Sequence, residues 1–194
     1  MTVNEPTTRD DLTQSTISAS TVTVTVTGER AEWLETLAKH RHFLRFTTRD
    51  LTDEQAGLRT TASELCLGGL IKHVTGVEQA WADFILNGPS SMQDFTDMDQ
   101  ADWIRRTEEF RMLPGDTLAG VLADYADVAR RTDELVAELP DLDVTWPLPK
   151  APWFESGARW SARRALMHIV TETAQHSGHA DIIRESLDGA KSMS

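Results

Sequence analysis

Positions 168 to 179 read His168-Ile-Val-Thr-Glu172-Thr-Ala-Gln-His176-Ser-Gly-His179. On a helix, at 100° per residue, Glu172 lies about 40° around the axis from His168, His176 about 80° and His179 about 20°. Four ionisable groups then share one narrow face, and burying them unpaired is costly. Side chains four residues apart on a helix can grip one ion, so Glu172 and His176 can supply two metal ligands. A third has to come from another element. His73 is the candidate, because it sits among apolar residues at helical spacing. Two neutral imidazoles and one carboxylate leave a divalent ion with a single net positive charge and at least one open position, as in catalytic zinc sites. The same donors suit Fe(II), so residue type does not fix the metal. His168 and His179 are rivals: His179 in place of Glu172 makes a three-histidine site, and otherwise both serve beside the ligands. A plain alternative stands next to each residue. A histidine on a packed face is commonly a satisfied core group, and a Glu and a His four apart also support helix surfaces.

The elements that must position these residues are legible from periodicity. From Glu29, the residues Trp33, Leu37, His40, Leu44, Thr47 and Leu51 form one amphipathic face, which Thr52-Asp53-Glu54-Gln55 breaks. A second helix is expected from about Ser63 to Leu86. It carries His73 within the stripe Leu67, Leu70, Val74, Val77, Trp81 and Phe84, and stops at Asn87-Gly88-Pro89. Residues 89–115 are acidic and irregular, with a short helix around Trp103 to Phe110. Pro114-Gly115-Asp116 opens a third long helix that ends before Pro140. Residues 140–158 read as a loop with four prolines and two tryptophans. The fourth helix runs from about Ser161, its N-cap, to Leu187, closed by Asp188-Gly189. Four helices of about 20 residues with two longer connections read as an all-α four-helix bundle. Residues 1–27, rich in Thr, Ser and Val, form a flexible N-terminal extension, irregular or a single strand over Thr21 to Thr27. The bundle domain spans 28–190.

With 194 residues and 40% hydrophobic side chains, one domain with a proper core is expected. The net charge of -12 and the lack of a basic stripe argue against nucleic acid and against an anionic membrane surface. No run approaches the roughly 18 apolar residues of a spanning helix. The first residues lack the basic start and apolar stretch of a signal peptide, so a cytoplasmic protein is expected. Cys66 is the only cysteine, which excludes an internal disulfide, a cysteine zinc cage and a CxxC redox pair. It reads as a small buried hydrophobe.

The segment Leu67-Gly68-Gly69-Leu70-Ile71-Lys72-His73-Val74 resembles the helix-two signature of the DinB-like metalloprotein superfamily. Glu172-Thr-Ala-Gln-His176-Ser-Gly178-His179-Ala-Asp181 resembles the helix-four signature of its mostly actinobacterial branch. Leu-Thr-Asp-Glu-Gln before helix two fits as well, and the resemblance runs from about Glu29 to Gly189. It implies an up-down-down-up four-helix bundle, a homodimer, and a divalent metal, often zinc or nickel, on His73, Glu172 and His176. Many members have histidine where this chain has Glu172, and glutamate there resembles the mycothiol-dependent isomerases and S-transferases. The implied activity is therefore a metal-dependent transfer of a low-molecular-weight thiol such as mycothiol to an electrophile, a detoxification chemistry. A non-catalytic metal-binding stress protein and a metal-dependent hydrolase are the alternatives.

Further residues have auxiliary roles in view. His168, His179 and Asp181 are candidates to hold the ligands from behind, and Asp181 with Arg184 can orient ligands, bind an anionic group or form a surface ion pair. Arg159, Arg163 and Arg164 gather where helix four begins, a place where cations oppose the helix dipole, and can serve a substrate carboxylate. Trp146, Trp153 and Trp160 can wall a pocket or pack the bundle.

Overall fold

Gly28, at φ 63°, turns the chain into α1 (Glu29–Phe46). In the computed structural model, which describes residues 26–192, there follow α2 (Asp53–Gly57), α3 (Leu67–Asn87), α4 (Gln100–Glu108), α5 (Leu118–Glu138), β1 (Thr145–Pro147), β2 (Arg159–Ser161) and α6 (Ala162–Asp188). The fold is mostly helical, as periodicity indicates, with one two-stranded sheet among the described residues. The expected strand over Thr21 to Thr27 falls outside the described residues, apart from Val26 and Thr27, which lie in no strand. No described helix is long and apolar enough to cross a membrane.

The long helices α1, α3, α5 and α6 pack in pairs: α3 on α5 and α6, and α1 on α6 and α5. Their buried side chains form two apolar clusters. One gathers Leu37, Trp81, Phe84, Leu135, Val136, Leu166 and Ile169. The other gathers Leu44, Leu67, Leu70, Val74, Val121, Tyr125 and Ile183. Each fully buried Leu, Ile or Phe contributes about 2 kcal/mol through the apolar area it removes from water. Between the clusters, the long helices turn polar side chains inward, Arg41, Glu78, Thr132 and Thr173 among them, all buried. Arg41 Nε donates to Glu78 Oε2 at 3.2 Å and Nη2 to Oε1 at 2.5 Å, while Nη1 reaches Asp133 at 2.7 Å. The threonine hydroxyls donate back along their own helices, to Val128 and Ile169 carbonyls.

Several boundaries differ from periodicity, each for a local reason. Helix α1 stops at Phe46 instead of running to Leu51: the Thr47 and Thr48 hydroxyls donate to the Leu44 and Arg45 carbonyls, and Asp50 turns left-handed at φ 59°. The segment read as a break is the short helix α2, set by a capping box in which Thr52 accepts from Gln55 N and Gln55 accepts from Thr52 N. Helix α3 begins at Leu67, four residues late, because Ser63 takes the Leu65 N–H in a turn. Helix α5 begins at Leu118, where Thr117 caps Gly120 N. Ser161 caps α6 as expected, accepting from Arg164 N. The proline-rich loop holds β1, and β2 directly follows it, the two antiparallel with Trp146 opposite Trp160. Three-residue strands carry no readable alternation.

Gly68 and Gly69 let the connector after α4 lie directly on α3. A Cβ on Gly69 would strike the Phe110 carbonyl, and one on Gly68 the Met112 side chain. Gly69→Ala is therefore expected to cost about 2 kcal/mol of unfolding free energy, read by urea denaturation. Arg41→Ala strands the Glu78 charge in the core. Its expected cost is about 3 kcal/mol or more, and a loss under 1 kcal/mol would show that the pair behaves like a surface one.

Candidate metal centre

The apolar stripe of α3 buries His73, and the facing stripe of α6 buries His176 and half-buries Glu172. One ligand atom from each lies within 4.8 Å of the other two. Glu172 Oε2 stands 3.8 Å from His73 Nε2 and 3.6 Å from His176 Nε2. Those separations are too long for direct hydrogen bonds. Donor atoms about 2.1 Å from a tetrahedral ion stand about 3.4 Å apart, so the two gaps to Glu172 are within a few tenths of an ångström of that spacing, while the widest separation in the trio, up to 4.8 Å, has further to close. The carboxylate donor is ionised, as a metal needs. The His176 imidazole, and after it that of His73, holds the Glu172 carboxyl well below the usual carboxylate range, against the burial that would raise it. Burial works to lower the His73 pKa, and the carboxylates of Glu109 and Glu172 more than offset it.

The His73 ring is fixed from two further sides. Phe110 stacks on it with centroids 4.0 Å apart and planes 23° apart. Its Nδ1 is buried with no hydrogen-bond partner among the described residues, and Glu109 Oε2 stands 3.7 Å away. A histidine that gives Nε2 to a metal keeps its proton on Nδ1, and Glu109 is the carboxylate placed to accept it. Periodicity offered no sign of Glu109 or Phe110, which lie in the connector between α4 and α5.

The other expected residues divide. His168 Nε2 lies 3.7 Å from Glu172 Oε1, and its ring meets Trp81 and Trp160 edge-on. Burial pushes its pKa down, with Glu172 pulling the other way. His179 Nδ1 is 3.3 Å from His176 Nδ1. Asp181 accepts the Ser192 N–H at 2.6 Å. Arg184 is buried and donates to the Thr47 and Arg49 carbonyls and to Asp188, tying the end of α1 to α6.

A cavity of about 510 Å³ opens beside the trio, lined by His73, His168 and Glu172 together with Trp81, Met92, Phe95, Arg106, Trp153 and Phe154. Of the three tryptophans in view from sequence, Trp153 lines it. Trp160 stacks behind on Trp81 at 4.7 Å, and Trp146 donates to the Ile85 carbonyl. The arginines at the start of α6 are a correction, because none lines the cavity. Arg163 pairs with Glu29 and Asp143, Arg159 donates to the Thr145 carbonyl, and Arg164 lies over Trp160. Glu29 and Asp143, both distant in sequence, absorb the Arg163 charge that looked free. The cavity's cation is Arg106, from α4, which sequence pattern did not single out.

Residues 33–189 match the family described as mycothiol-S-transferase. No curated protein matches the chain. Among solved structures, a conserved protein of Enterococcus faecalis superposes with a TM-score of 0.64 at 11% identity, covering 85% of this chain and 100% of that one. At that identity the likeness speaks for the fold alone.

His73→Ala is expected to abolish tight zinc binding in isothermal titration calorimetry, and stoichiometric metal retained by the variant would rule out this ligand set. Glu109→Gln is expected to weaken zinc about tenfold with the far-ultraviolet circular dichroism unchanged.

Proposed function

The chain belongs to the mycothiol-S-transferase family, a DinB-like family, and from that premise we propose that it is a divalent-metal-dependent S-transferase. It activates mycothiol, or a similar low-molecular-weight thiol, at His73, Glu172 and His176 for attack on an electrophile. The observation that carries this reading is the convergence of two imidazoles and an ionised carboxylate beside an aromatic-walled cavity. A divalent ion there, zinc first with nickel or iron as alternatives, supplies the positive charge that keeps a thiol as thiolate near neutral pH.

The chain's own contribution is positioning. Phe110 and Glu109 hold the His73 ring, and His176 and His73 keep Glu172 ionised. The apolar walls exclude water and hold a reacting carbon against the nucleophile. His168 presents its Nε2 to Glu172 at the cavity edge. The thiol has to come from outside: the sole cysteine, Cys66, is buried at the start of α3 with its Sγ 3.7 Å from the Phe110 carbonyl oxygen.

The same proposal takes the four long helices as an up-down-down-up bundle spanning 28–190, with residues 1–27 as an extension. The pairing of α1, α3, α5 and α6 supports it. Homodimerisation and a detoxifying role complete the proposal as features the family resemblance implies, and a cytoplasmic location joins them as the expectation from the sequence.

The test is elemental analysis of purified protein, then mixing the metal-loaded form with mycothiol and a bimane electrophile. About one metal ion per chain and conjugation that requires both metal and thiol are expected. Metal without conjugation would favour a binding protein, and turnover without thiol a hydrolase. No metal, even after loading with zinc or nickel, would return the trio to packing roles.

A further inference from the structure

The cavity beside the trio is chemically lopsided. Most of its wall is apolar, with Trp81, Phe95, Trp153 and Phe154 supplying flat faces, and Arg106 is the one Lys or Arg in its lining. The Arg106 guanidinium lies over the Phe95 ring, 4.9 Å from its centroid. Among the described residues it makes no ion pair, in a chain with 31 acidic residues to 19 basic ones. Of the acids near it in sequence, Asp102 and Glu109 are committed elsewhere, and Glu108 makes no ion pair with it among the described residues. Asp102 takes Arg105, the Gln93 amide and the Asp99 N–H, and Glu109 faces His73. A guanidinium held over an aromatic ring without an ion-pair partner has N–H groups to offer a planar anion.

We infer that this cavity takes an electrophile with a flat apolar body and a carboxylate, the carboxylate against Arg106 and the reacting carbon toward the trio. The inference rests on the transferase reading for the electrophile's chemistry, and on the cavity alone for its shape and charge. Mycothiol carries no carboxylate, so the anion that Arg106 meets belongs to the second substrate. For a haloarene the step balances simply. The thiol proton goes to solvent, the thiolate lone pair forms the carbon–sulfur bond, and halide leaves with the pair from the broken carbon–halogen bond. A net-negative protein would otherwise repel such a substrate, and Arg106 gives it one attractive point of entry.

The experiment compares 4-chloro-3-nitrobenzoate with its methyl ester, two probes of one shape that differ in charge. Each is titrated calorimetrically into zinc-loaded protein without thiol. The acid is expected to bind about tenfold tighter than the ester. Arg106→Gln is expected to erase that preference and leave the affinity for the ester within about twofold, which also certifies the fold. Equal binding of the two probes to the unaltered protein, or a preference that survives Arg106→Gln, would overturn the inference. Should Arg106→Gln lose both probes, Arg106→Lys decides: a retained preference for the acid supports the ion pair, and equal affinities refute it. Mycothiol added afterwards reads the other claim separately. No conjugation, with the binding preference intact, would sink the transferase reading and sustain the anion site.

Discussion

A fully buried carboxylate governs the way this bundle is assembled. Glu78 lies at the centre of α3 without solvent contact, and only Arg41 of α1, in a two-point grip, makes that tolerable. Such a pair adds little net stability, since the desolvation of both ions consumes most of the attraction between them. Its effect is on specificity, for α1 and α3 have one register in which the charges meet. Asp133 extends the grip to α5. With Thr132 and Thr173 at the same depth, the pair divides the apolar core into two clusters along all four long helices.

The trio occupies the rim of that polar layer. Glu172 and His176 flank Thr173 in α6, and His73 precedes Glu78 by little more than a turn in α3. Polar groups there extend an interruption of the core that already exists, instead of opening a new one. The connector after α4 then closes the remaining side. It reaches α3 only because Gly68 and Gly69 have no side chains, and the contact lays Phe110 flat on His73. Backbone proximity, ring stacking and the Glu109 carboxylate thus act on one imidazole from one short segment.

What could be read from sequence follows the range of the interaction. The α6 cluster was legible because helical spacing alone puts Glu172 and His176 together, and His73 because it interrupts an apolar stripe. The Thr52 to Gln55 capping box was present in the residue types, yet the polar run obscured it. Glu109, Phe110 and Arg106 were not legible. Glu109 and Phe110 act from a connector whose path depends on how closely two backbones can approach, and Arg106 from the helix before it, and no period records that. The arginines at the start of α6 show the opposite failure. Their clustering is local, but Glu29 and Asp143, which neutralise Arg163, come from elsewhere in the chain.

His73 and Glu172 lie about half the chain length apart, so no nascent helix or hairpin contains the trio. It comes into being only when α3 docks on α6, an event that waits on closing a long loop. A newly made chain, or one partly unfolded by heat, carries the same histidines without the pocket that orders them. On the proposed function, thiol activation is thereby confined to molecules that have completed folding. An electrophile-handling centre that vanishes when the fold fails is a safeguard against uncontrolled reactivity, and it follows from chain topology without any dedicated regulatory part.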